Sequence, residues 1–89
     1  MRIAILGSGY VGLVTGVCFA DKGHKIYSID VDIEKVKKIN SGKIPIFEPG
    51  LEEMLKRNLE NGNFKAFLST DFYLQNIPTD LSFICVPTP

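Results

Sequence analysis

Three glycines near the amino terminus constrain this chain more than any other feature. Gly7, Gly9 and Gly12 follow directly on a short continuous apolar run, Arg2-Ile3-Ala4-Ile5-Leu6. Behind them Leu13, Val14, Val17, Cys18 and Ala20 recur at helical spacing up to Lys22, and Gly23 stands where a helix C-cap is wanted. An apolar run without polar alternation is a strand buried on both faces. Strand, glycine-rich turn and helix are therefore expected in immediate succession.

The same alternation continues to the end of the chain. Lys25–Asp30 is a second strand ending in an acid, and Asp32 is placed to cap a helix with Ile33, Val36 and Ile39 as its apolar stripe. Ser41-Gly42 stops that helix, and Pro45 enforces extended chain beyond it. Pro49 is expected in the first turn of a further helix running from Leu51 to about Asn61, stopped by Asn61-Gly62. Phe64–Ser69 is a third strand, Asp71–Asn76 a short helix, and Leu81–Val86 a fourth strand before Pro87-Thr88-Pro89. The order β-α-β-α-α-β-α-β, with crossovers of this length, predicts parallel strands joined by right-handed connections. The expected fold class is α/β: a Rossmann-type parallel sheet, first half, with spatial strand order 3-2-1-4 and a single partial domain over residues 1–89.

Composition narrows the function classes. The chain has 89 residues, 45% hydrophobic and 22% charged, as expected of a folded soluble domain with one modest core. Ten Lys plus Arg balance ten Asp plus Glu, so no basic excess exists to neutralise a nucleic-acid backbone. Two cysteines and one histidine, His24, do not make a four-ligand zinc site or a disulfide framework. Arg2 and the apolar stretch Ile3–Ala20 imitate a secretory signal, but Gly7, Ser8 and Gly9 interrupt the stretch after four residues and no small-x-small cleavage site closes it. A cytoplasmic chain with reduced thiols is expected, with neither membrane nor nucleic acid as partner.

The chemistry lies in the first strand–helix turn. In a G-x-G-x-x-G placed between strand and helix, Gly7 permits the tight turn, Gly9 lets backbone approach a pyrophosphate, and Gly12 lets the helix pack close to the sheet. The free N–H groups and the positive helix end then hold phosphate charge. Asp30 stands 18 residues after Gly12, at the carboxyl end of the second strand. A carboxylate there accepts hydrogen bonds from the adenosine ribose hydroxyls and repels a 2′-phosphate, which selects NAD over NADP. The competing account makes the glycines a turn only and Asp30 a solvated strand end; the register of strand, turn, helix, strand and acid argues against it.

Four segments together carry a family likeness. Gly7-Ser-Gly-Tyr10-Val11-Gly12, Asp30 with Lys35, Asn40-Ser-Gly-Lys-Ile-Pro-Ile-Phe-Glu-Pro-Gly-Leu51, and Phe83-Ile-Cys-Val-Pro-Thr-Pro89 resemble the UDP-glucose/GDP-mannose dehydrogenase family, in the order that family uses. Such enzymes oxidise the C6 hydroxyl of a nucleotide sugar to a carboxylate in two NAD-dependent steps. The resemblance implies that Tyr10 and Val11 touch the cofactor through the turn, that Asp30 and Lys35 hold its adenosine end, and that Thr88 lies beside the dinucleotide. It also implies that Glu48-Pro49-Gly50 is a conformational signature rather than a catalytic group. UDP-glucose is the first-choice substrate, with GDP-mannose and UDP-N-acetyl-hexosamine relatives behind it.

The family's nucleophilic cysteine and its catalytic lysine, asparagine and aspartate fall beyond the region this chain resembles. Cys85, inside strand four, and Cys18, in an apolar helical stripe, read as small buried hydrophobes. His24 reads as a solvent-exposed loop residue. No catalytic or metal-binding residue is assigned, and the 89 residues alone are expected to be inactive. Lys35, Lys37 and Lys38 form a charged outer helix face, and Glu52–Lys56 and Glu53–Arg57 are i,i+4 pairs on another. Phe64, Phe67, Phe72 and Phe83 are expected in the core. Two functions remain: the cofactor half of a nucleotide-sugar 6-dehydrogenase, or a non-catalytic nucleotide-binding or interaction module. The nucleotide sugar is expected as a partner of the whole enzyme alone. Strand four, apolar on both faces and without Lys or Pro, is expected to drive self-association as an exposed edge.

Overall fold

The computed structural model describes residues 1–7, 9–44 and 48–84, the side chain of Tyr10 excepted. The expectations for Pro45, Cys85, Val86 and Thr88 lie outside the described residues. Eight elements occur in the expected order: β1 (Arg2–Leu6), α1 (Tyr10–Asp21), β2 (Lys25–Asp30), α2 (Ile33–Asn40), α3 (Leu51–Glu60), β3 (Phe64–Leu68), α4 (Ser69–Gln75) and β4 (Leu81–Ile84). The four strands form one parallel sheet in the order β3-β2-β1-β4.

Alternation along the strands sorts the core into two layers. Ile3, Ile5, Ile26, Phe64 and Ala66 face one side, where Leu13, Val17 and Ala20 of α1, Val36 and Ile39 of α2, and Leu51 and Leu55 of α3 cover them. Ala4, Ile29 and Phe67 face the other side, closed by Phe72 of α4. β1 is thus buried on both faces, as its unbroken apolar sequence requires. Phe64, Phe67 and Phe72 are core residues, and Phe83 is half-buried with its ring stacked 6.1 Å from Phe19. Ser28, 2% exposed within the first layer, has no partner for its hydroxyl among the described residues.

Several local expectations are corrected. The residues of α1 that meet the sheet are Leu13, Gly16, Val17 and Ala20, at i, i+3, i+4 and i+7; Cys18, turned about 100° from Val17, is exposed rather than buried. Ile33 is 42% exposed, because three-residue steps drift around a helix and only Val36 and Ile39 stay over the sheet. Pro49 lies outside α3. Pro49 and Gly50 occupy the two central positions of a turn closed by Leu51 N–H donating to Glu48 O at 3.2 Å. Gly50 has φ 81° and ψ −17°, the type II geometry that wants proline first and glycine second. Glu48-Pro49-Gly50 is accordingly a conformational signature. α4 starts at Ser69, straight from β3, and Asn76 ends it in left-handed conformation (φ 51°) instead of being its last residue.

Charged groups also choose partners that sequence spacing does not name. Glu52 and Lys56 pair at 3.4 Å, as expected. Arg57 instead reaches across to α1, where its Nη2 and Nε donate to Asp21 Oδ1 at 2.6 and 3.1 Å, and the buried Asn58 donates to the same oxygen at 3.1 Å. Hydrogen bonding by Arg57, then by Asn58, holds the Asp21 carboxyl below its ordinary range. A depressed folded-state pKa contributes stability that is present above the unfolded pKa and lost as pH falls through the folded one. The urea midpoint difference between the parent and Asp21→Asn is therefore expected to be present at pH 7 and to shrink as pH is lowered below the ordinary carboxylate range. A difference independent of pH would remove the assignment. His24 is half-buried, its Nδ1 accepting from the Met1 amino group at 3.3 Å and its ring edge-on to Phe19.

Candidate cofactor site

The first turn forms at the carboxyl end of β1. Gly7 adopts φ 100°, a conformation that glycine reaches without steric cost, and its N–H donates to Ile29 O at 2.7 Å. That bond ties the turn to the end of β2, one residue before Asp30. Gly9 is the N-cap of α1: it has no side chain to satisfy the first-turn amides, and the first turn carries no acid. Leu13 N–H, bonded to Gly9 O at 2.9 Å, begins the helical ladder. The amides before it belong to a positively polarised helix end without a side-chain cap among the described residues, beside a turn made of backbone. Gly12 is buried and Val11 is 65% exposed.

Asp30 ends β2 half-buried, and its Oδ1 accepts from Asp32 N–H at 2.8 Å. Asp32 in turn caps α2 by accepting from Glu34 N–H at 3.0 Å. The carboxylate is thus oriented by backbone at the launch of α2, on which Lys35 is exposed. Gly7, Gly9, Gly12 and Asp30 are brought to one end of the sheet, beside the place where the strand order turns back from β1 to β4. Ligands of open parallel sheets bind at such carboxyl-end switch points. A depression of about 380 Å³ opens at the amino ends of the strands, between Arg2, Lys25, Asn63 and Asp80. Another of about 250 Å³ lies on the α4 face, lined by Ile29, Phe72, Tyr73 and Ile77. Neither is lined by the glycines of the turn or by Asp30.

Close approach of α1 to the sheet depends on a residue the sequence pattern did not single out. A Cβ on Gly16 would stand 3.0 Å from Ile5 Cδ1, 3.1 Å from Phe64 Cε2 and 3.3 Å from Ile26 Cγ2. Its signal was available, since Gly16 lies one helical turn after Gly12 on the same face.

The residues present fit a dinucleotide: a backbone turn, a helix end whose N-cap is a glycine, and an oriented carboxylate on the neighbouring strand. Fold and turn define the first half of a Rossmann dinucleotide-binding domain. The whole chain, residues 1–89, matches the UDP-glucose/GDP-mannose dehydrogenase family, NAD binding domain. The chain belongs to that family, and this region is its NAD-binding domain. It is 47% identical over 89 residues to the GDP-mannose 6-dehydrogenase of Pseudomonas syringae pv. tomato and 43% identical to the UDP-glucose 6-dehydrogenase of Rhizobium meliloti. In each case the match covers 100% of this chain and 20% of the relative. The crystal structure of a GDP-mannose dehydrogenase ternary complex from Pseudomonas aeruginosa superposes with TM-score 0.90 at 45% identity, covering 100% of this chain and 20% of that one. The chain thus spans about a fifth of the length of the curated relatives it matches.

Proposed function

We propose that this chain is the adenosine- and pyrophosphate-binding part of a nucleotide-sugar 6-dehydrogenase, with UDP-glucose oxidised to UDP-glucuronate as the first-choice reaction and GDP-mannose as its competitor. The observation that carries the proposal is the left-handed Gly7 turn feeding the glycine-capped end of α1, bonded to the strand that ends in Asp30. In this reading the amides of Tyr10, Val11 and Gly12 meet the pyrophosphate. Asp30 accepts from the ribose hydroxyls, with Lys35 close by on α2, and Thr88 lies along the dinucleotide. Bound NAD supplies the hydride acceptor. The chain's own residues bind and orient it, and hold no nucleophile or base for the sugar.

Two measurements test this. The purified chain should bind NAD more tightly than NADP, and should form no NADH with NAD and either UDP-glucose or GDP-mannose. NADH formation above the blank, abolished by Cys85→Ser, would show that Cys85 is a nucleophile. In the whole dehydrogenase, turnover of GDP-mannose without turnover of UDP-glucose would reverse the substrate choice.

Self-association through the β4 edge belongs to the same proposal. Leu81 and Ile84 of β4 are 42% and 74% exposed, and Tyr73 and Leu74 of α4 are 65% and 83% exposed on the thinly covered face. An unblunted apolar edge templates further pairing. Light-scattering mass is expected to rise with concentration, and Ile84→Lys to suppress the rise. A monomer at high micromolar concentration, unchanged by the substitution, would refute it.

A further inference from the structure

The two edges of the sheet are not alike. β3 forms the edge opposite β4. Ile26 N–H donates to Asn63 O at 2.7 Å, so in the alternation of a parallel ladder Asn63, Lys65 and Phe67 turn their backbone groups toward β2. Phe64, Ala66 and Leu68 turn theirs outward. Ala66, the middle one, meets a side chain there. Asn40 Nδ2 donates to Ala66 O at 2.9 Å, and Ala66 N–H donates to Asn40 Oδ1 at 2.9 Å. One carboxamide, 26 residues away at the last position of α2, reproduces both bonds that a neighbouring strand would make. Lys65 is exposed beside it, and its ammonium lies 5.2 Å from the Phe67 ring centre.

We infer that Asn40 is a pairing plug: its amide occupies the central pairing position of β3 and closes that edge to a second copy of this chain. With the plug in place, β3 offers no free backbone pair at its centre to a second copy. Without it, β3 of one copy can accept β3 of another across a two-fold axis. The plug does not depend on the proposed β4 association.

The test combines amide hydrogen exchange at Ala66 with light-scattering mass against concentration, in the parent, Asn40→Ala and Asn40→Asp. Ala66 is expected to exchange roughly tenfold more slowly in the parent than in Asn40→Ala, as for one lost hydrogen bond. Asn40→Ala is expected to reach a larger mass than the parent at equal concentration. Asn40→Asp keeps the acceptor for Ala66 N–H, sets its second oxygen against Ala66 O and adds a charge at the edge, so Ala66 should exchange at a rate between the other two and the mass should stay at the parent's. If the parent stays monomeric, Asn40→Ala should dimerise through β3. A folded Asn40→Ala with the parent's mass profile overturns the inference. So does rapid exchange of Ala66 in the parent, a result that needs no variant to fold.

Discussion

Gly16→Val is expected to lower the stability of this domain by about 3 kcal/mol, the upper range for forcing extra methyl groups into a packed core. The three atoms that the first added carbon would meet, at 3.0 to 3.3 Å, belong to Ile5, Phe64 and Ile26. All three residues are at most 2% exposed, so none has solvent to move into. Ala at the same site gains about 1 kcal/mol of helix propensity, which offsets part of the crowding, and a smaller loss is expected. A domain of this size has on the order of 5–10 kcal/mol in total, so the valine variant should unfold at a visibly lower urea concentration by circular dichroism. Its remaining folded population should also bind NAD more weakly, because the helix pushed off the sheet carries the amides proposed to meet the pyrophosphate. An unchanged midpoint for Gly16→Val would mean that α1 does not sit as close to β1, β2 and β3 as described.

Asp30→Asn should cost the whole dehydrogenase about 1.5 kcal/mol of its preference for NAD over NADP, the worth of a charged hydrogen bond and roughly a tenfold change. Loss of the negative charge relaxes the repulsion of a 2′-phosphate, while the amide oxygen can still accept from Asp32 N–H as Oδ1 does at 2.8 Å. The fold should therefore survive, and the effect should appear in the ratio of affinities rather than in the urea midpoint. Titrating both cofactors against parent and variant decides it. Comparable affinities for NAD and NADP in the parent would remove the role given to Asp30.

The alternation of elements, the parallel sheet and its order were legible in the residues themselves. The strands are mostly apolar and lie between turn residues, a glycine follows each of α1, α2 and α3, and right-handed crossovers leave few orders open. The glycine turn and Asp30 were legible for the same reason, since their spacing is set by one strand, one helix and the next strand. Partner choice was not. The residues of α1 are apolar around most of its circumference, so periodicity alone did not show that Gly16 faces the sheet and Cys18 faces out. Arg57 has Glu53 one turn behind it in sequence, yet Asp21 of α1 takes its guanidinium. Asn40 ends a helix in the sequence and closes a sheet edge in the structure. Periodicity is written among residues within a turn or two of one another, so the chain by itself determined the elements, their order and the glycine turn. Contacts between elements 26 to 37 residues apart were decided when those elements packed, because the geometry of approach selects which of several suitable side chains meets which.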